Sequence, residues 1–213
     1  FMNNLFTITG FRRYFANTSW LIAEKIFRLA VGLFVSVWVA RFLGPEQFGT
    51  LSYAQAFVGL FGAFATLGMD GIVIKHLVQD EENRDLLLGT AFILKLFGAI
   101  VALVIIGIVT VSTSSENIDI ILITIIASTL IFQSLNVIDF YFQSKVLSRY
   151  IVIVNLVSQL AANLIRITLI LINAPLIAFA YVILFDAVIL AFGYIYVYKH
   201  KNLFIRKWKF KKL

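Results

Sequence analysis

Charged and amide side chains stand inside stretches of this sequence that are otherwise apolar, and their spacing suggests binding rather than bond-breaking. Asn155, Gln159, Asn163 and Arg166 recur at intervals of 4, 4 and 3. At ~100° per residue they share one helical arc of about 80°. Ser158 flanks that arc, and the opposite face is Ile, Val and Leu. Such a stripe either hydrogen-bonds a neighbouring helix or lines a wetted cavity. Glu24, Lys25 and Arg28 form a second group. Glu24 and Arg28, four apart, can pair on one helix, and Lys25 shares a face with Arg28. Lys25 can also snorkel to the interface. Lys95 and Asp186 stand singly in two further apolar stretches.

Counted together, Lys25, Arg28, Lys95 and Arg166 face Glu24 and Asp186, a net of about +2. A cationic interior suits an anionic ligand, because guanidinium and ammonium groups bind phosphate oxygens. Asp186 needs a partner, a proton or a cation. Arg166 and Lys95 are both candidates for an ion pair, and ion coupling through Asp186 or Glu24 is the alternative. Gln133, Asn136 and Asp139 do not fall on one narrow arc, which predicts packing with partial exposure.

Catalysis has no visible basis. The chain lacks a phosphate-binding glycine loop, an HExxH pair and a Ser-His-Asp set at one depth. It has no cysteine, and His76 and His200 have no second ligand at metal spacing. The expectation is binding and movement without a metal or cofactor, and not an enzyme.

The elements that position these groups follow from composition. Of 213 residues, 61% are hydrophobic and 14% charged, with a mean hydropathy of +0.96. A soluble domain of this length needs more charge to cover its surface. A helical span takes about 20 apolar residues, and six are predicted, at roughly 18–42, 48–68, 88–111, 118–140, 149–172 and 176–198. All are expected to be helices, since lipid offers exposed backbone no partner. The expected fold is therefore all-α and polytopic. Residues 1–17 form a cytoplasmic or interfacial segment, with Phe6, Phe11, Arg12, Arg13 and Phe15 suited to an interfacial helix. Residues 18–198 form the six-helix lobe, and 199–213 form a basic tail.

The connections are short. Gly44-Pro45-Glu46 joins the first two spans, with Pro45 and Glu46 suited to a helix start. Met69 to Leu87 reads as an acidic loop. Thirteen Lys and Arg lie in one set of connections and ends, seven of them in the last fifteen residues, against Arg41 on the other side. By the positive-inside rule both ends are cytoplasmic. The net charge of +7 thus marks topology, with membrane lipid headgroups as the secondary partner, rather than nucleic acid. Phe1 ahead of Met2, and an end in a basic run, read as part of a longer polypeptide.

The stretch Ala40-Arg41-Phe42-Leu43-Gly44-Pro45-Glu46-Gln47-Phe48-Gly49 is similar to the ARxLGPxxFG signature of bacterial polysaccharide (O-antigen type) flippases. The likeness extends over Leu51-Ser52-Tyr53-Ala54 and Leu67-Gly68-Met69-Asp70-Gly71. These flippases share a superfamily with multidrug and toxin extrusion transporters and the lipid II flippase. The resemblance implies two six-helix lobes around a central cavity, of which this chain is the N-terminal one. It implies movement of an undecaprenyl-diphosphate-linked oligosaccharide from the cytoplasmic to the periplasmic leaflet of the inner membrane, for O-antigen or lipopolysaccharide assembly, by alternating access. It also implies that first-helix basic residues engage the diphosphate, which places Arg28 and Lys25 there. The rivals are a cation-coupled drug exporter of the same superfamily, which needs an acidic cavity, and a non-transporting membrane scaffold, which needs a dry polar stripe.

Overall fold

The computed structural model describes residues 8–66, 68–80, 82–113 and 117–201, with side chains from residue 18 onward except that of residue 65. Every regular element among them is helical: α1 (Ile8–Ala65), α2 (Asp70–Gln79), α3 (Arg84–Thr113), α4 (Asn117–Ala127), α5 (Thr129–Gln133), a 3₁₀ turn at Ser134–Asn136, α6 (Val137–Ser144), α7 (Arg149–Leu171) and α8 (Leu176–His200). The tail beyond Lys201, with Arg206, Lys207, Lys209, Lys211 and Lys212, lies outside the described residues, as do Phe6 and the side chains of Phe11, Arg12, Arg13 and Phe15. The backbone of α1 runs without a break from Ile8 into the first span, so its described part is continuous with that span rather than a separate interfacial helix.

Five helical stretches are long and apolar enough to cross a membrane: Thr18–Phe64, Arg84–Thr113, Asn117–Ser144, Arg149–Leu171 and Leu176–His200. The first contains two of the six predicted spans. At Gly44 the backbone turns to φ 74°, ψ 172°, a conformation that only glycine adopts cheaply, and Pro45 restarts the helix. Gln133 lies beside Arg28 in one cavity and beside Gly62 in another. In a straight helix those two positions would be about 50 Å apart. The two arms therefore run back past one another, and the chain makes six crossings. Large apolar side chains such as Leu29, Phe34, Phe64, Phe97 and Leu171 are exposed on the outer faces, as lipid requires of a multi-pass membrane protein.

Two apolar clusters hold the bundle. One joins Val35, Val39 and Leu43 of the first arm and Leu51, Ala54 and Val58 of the second to α3, α4 and the start of α8. Phe42 there meets Phe179 with ring centroids 5.9 Å apart. The other cluster gathers Val73 and Leu77 of α2, Leu88 of α3, Ile138 and Phe142 of α6, Ile151 of α7 and Tyr198 of α8. The predicted acidic loop at 69–87 thus contains a helix. Its charges obscured two apolar residues one turn apart, which bury against α3 and α6. Asp80 and Asn83 close the turn that follows. The Asn83 side chain and amide donate to the Asp80 carboxylate at 2.8 and 3.2 Å, and those bonds hold its pKa below the ordinary value.

Two helix ends share one capping geometry. After α6, Val146 (φ 57°) donates its amide to the Gln143 carbonyl, and Leu147 donates to Phe142 at 2.9 Å. After α7, Asn173 (φ 52°) and Ala174 repeat the pattern onto Ile170 and Leu169. Both are Schellman turns, which satisfy carbonyls that lipid would leave bare. Asparagine tolerates the left-handed position; a β-branched valine there is strained.

Candidate functional site: a polar cleft between α1 and the later helices

The inward face of the first arm changes character along its length. Glu24, Arg28, Val35 and Val39 fall on one face at helical spacing. Its later part sits in the apolar core. Its earlier part opens on a cleft of about 470 Å3, where Glu24, Lys25 and Arg28 form one wall. Arg28 Nη2 and Glu24 Oε1 are 3.0 Å apart. The Glu24 side chain is 5% exposed and that of Arg28 46%, so the carboxylate is fixed behind a guanidinium that faces the opening. Lys25 is exposed beside them.

The opposite wall comes from the fourth crossing, Asn117–Ser144. Gln133, Asn136, Asp139 and Gln143 all line the cleft. In a regular helix, steps of three residues drift by ~60° each, which is why the sequence predicted no common face. The 3₁₀ turn at Ser134–Asn136 removes that drift between Gln133 and Asn136, because side chains three apart eclipse in a 3₁₀ helix. Serines and threonines mark the irregular stretch: Ser128, Thr129 and Ser134 each donate back to the carbonyl three residues earlier, at 2.6 to 2.7 Å. Gln143 Nε2 donates to Asp139 Oδ2 at 3.0 Å, while Asp139 Oδ1 is buried without a partner among the described residues.

Helices α7 and α8 close the third side with Asn155, Asp186 and Tyr194. The Ser158 hydroxyl donates to Asp186 Oδ1 and also reaches the Asp186 carbonyl at 3.1 Å. Tyr194 donates its O–H to Asn155 Oδ1 at 2.9 Å. Tyr194 was not singled out from the sequence. Its signal is its position two helical turns past Asp186, with Leu190 between, all on one face.

The α7 stripe divides. Asn155 lines the cleft. Gln159 lies one turn further and donates Nε2 to the Arg28 carbonyl at 2.9 Å, tying α7 to α1. Asn163 and Arg166 pair with each other, Arg166 Nη1 donating to Asn163 Oδ1 at 2.9 Å. Neither lines the cleft. Lys95 also stands apart from it. Buried to 4% exposure, it pairs with Asp70 Oδ1 at 2.7 Å and lies 4.3 Å from the centre of the Phe140 ring. Asp186 thus takes its hydrogen bond from Ser158, and Lys95 is the ion-pair partner of Asp70.

These placements correct the expected charge of the interior. With Lys95 and Arg166 outside the cleft and Asp139 inside it, two cations, Lys25 and Arg28, face three carboxylates, Glu24, Asp139 and Asp186. The cleft is zwitterionic rather than cationic. Its amides and carboxylates offer both donors and acceptors to hydroxyl groups, and its basic pair offers donors to an anion. Among the described residues no group of three or more His, Cys, Asp or Glu could hold a metal ion.

A family model described as "Polysaccharide biosynthesis protein" matches residues 14–213 of the chain. No curated protein and no solved structure matches it.

Proposed function

Since the chain belongs to the polysaccharide biosynthesis protein family, we propose that its cleft carries the polar head of a lipid-linked oligosaccharide across the bacterial cytoplasmic membrane. The observation that carries this reading is the division of the cleft wall. Lys25 and Arg28 lie together on α1, and a row of amides and carboxylates faces them. The basic pair suits a diphosphate. Gln133, Asn136, Gln143 and Asn155, with Asp139 and Asp186, suit sugar hydroxyls, which both donate and accept. The prenyl chain would stay in lipid while the head crosses in water. Undecaprenyl diphosphate is the proposed carrier, the cytoplasmic leaflet the source and the periplasmic leaflet the destination. A second lobe would complete the cavity and alternate its opening, and the positive-inside count supports cytoplasmic ends. No bond is made or broken in this process.

The carboxylate excess favours one rival, a cation-coupled exporter of organic cations. Substitution separates the two. In cells producing the full-length protein, Arg28→Ala should lower glycan export at least tenfold while membrane insertion stays at the wild-type level. Wild-type glycan export from Arg28→Ala, with efflux of an organic cation that is lost in Asp186→Asn, would support the exporter instead.

A further inference from the structure

On the side of the α7–α8 pair turned away from the cleft lies an apolar groove of about 410 Å3. Val154, Val157 and Ile189 line it, and Gly193 forms part of its floor. A Cβ on Gly193 would overlap a methyl of Val154, so the glycine lets the two helices approach there. The groove ends where α7 begins and α8 finishes, at Tyr150 and Lys201.

At that end two cations converge on one oxygen. Arg149 Nη2 and Lys201 Nζ donate to the Tyr150 phenol oxygen at 2.8 and 2.9 Å. Both also stand over its ring, 4.8 and 4.2 Å from the centroid. The cations are therefore at most about 6 Å apart, where like charges repel. Neither pairs with a carboxylate in the ion pairs of the described residues. An oxygen that accepts two hydrogen bonds still has its own O–H to donate. A guanidinium, an ammonium and a phenol O–H thus cluster at the mouth of an apolar groove, and both cations are exposed.

We propose that this groove binds an anionic phospholipid of the membrane. Its phosphate would sit on Arg149, Lys201 and the Tyr150 hydroxyl, with one acyl chain along Val154, Val157 and Gly193. Charge complementarity selects the lipid. The phosphate relieves the repulsion between the two cations, whereas a zwitterionic headgroup brings its own ammonium to the same place. Positive charges at a membrane surface attract anionic lipids additively, so two of them imply a preference of about tenfold or more.

The test uses the purified full chain in mixed micelles with phosphatidylglycerol that carries a diazirine in its acyl chain. After irradiation, adducts should map to the α7 and α8 groove residues. Unlabelled phosphatidylglycerol should compete at about one-tenth the concentration needed of phosphatidylethanolamine. Arg149→Gln/Lys201→Gln should abolish that difference, and Tyr150→Phe, which keeps the ring, should reduce it. Arg41→Gln, remote from the groove, should leave it intact. Adducts elsewhere, equal competition by the two lipids, or an unchanged preference in the double variant would overturn the proposal. Displacement by an undecaprenyl diphosphate at lower concentration than phosphatidylglycerol would also overturn it, by making the lipid-linked substrate the occupant.

Discussion

Arg28 screens Glu24 from the opening of the cleft: the two side chains are 3.0 Å apart, the carboxylate almost fully buried and the guanidinium half-exposed. An anion entering the cleft meets Arg28 first, but must compete with a carboxylate already bound to it. Glu24→Gln keeps the shape of the side chain and removes its charge. The expected outcome is several-fold tighter binding of a prenyl diphosphate by the full-length protein, read by equilibrium titration in detergent. Arg28→Gln should weaken binding by about tenfold or more, since a charged hydrogen bond is worth ~1.5–3 kcal/mol. Weaker binding by Glu24→Gln would mean that the carboxylate contributes directly to the ligand site.

Ser158 and Asp186 join α7 to α8 in the middle of the bundle. Ser158 is fully buried, so its removal withdraws a charged hydrogen bond that ties α7 to α8. Ser158→Ala should cost about 1–3 kcal/mol, measured as a lowered midpoint of denaturant-induced unfolding in micelles. Ser158→Thr, which keeps the hydroxyl, should recover part of that loss.

The Lys95–Asp70 pair predicts a non-additive result. Asp70→Asn leaves a buried ammonium facing a neutral amide, and breaking one side of a buried pair costs about 3–5 kcal/mol. Asp70 is half-exposed, so its loss should fall below that range. Replacing Lys95 by Met as well removes the stranded charge. The double variant should therefore be more stable than Asp70→Asn alone by thermal unfolding, and equal or lower stability would contradict the pairing.

Much of the fold was legible in the sequence because hydrocarbon forces a coarse pattern. Long apolar runs, punctuated by Gly44-Pro45 and Asn173-Ala174-Pro175, located the crossings to within a few residues. Helix α2 was hidden because its apolar face is only two turns long and lies among acidic residues. The site was half legible. Glu24, Lys25, Arg28, Asn155 and Asp186, polar groups standing within apolar runs, line the cleft. Asp139, Gln133 and Asn136 escaped because a wheel assumes constant pitch, and the 3₁₀ turn breaks it. Lys95 and Arg166 were misplaced for a different reason. Depth along a helix says that a charge needs a partner, but not whether that partner is a ligand, a carboxylate at another helix's start such as Asp70 or a neighbouring amide such as Asn163.

Two backbone positions predict opposite outcomes. Gly44 has open space around its Cβ position, so Gly44→Ala should destabilise purely through its backbone of positive φ and extended ψ, by about 1–3 kcal/mol. Val146 has positive φ at the end of a Schellman turn, where glycine is preferred. Val146→Gly should stabilise the α6–α7 turn by about 1 kcal/mol. Paired unfolding curves in one detergent check both signs.

The proposed path of the glycan head is the cleft, and not the rest of the α7 stripe. A photo-reactive amino acid placed at Asn155 or Asn163 tests it in cells making the lipid-linked oligosaccharide. Covalent capture of the glycan is expected at position 155 and not at 163. Capture at both positions alike, or at neither, would contradict it.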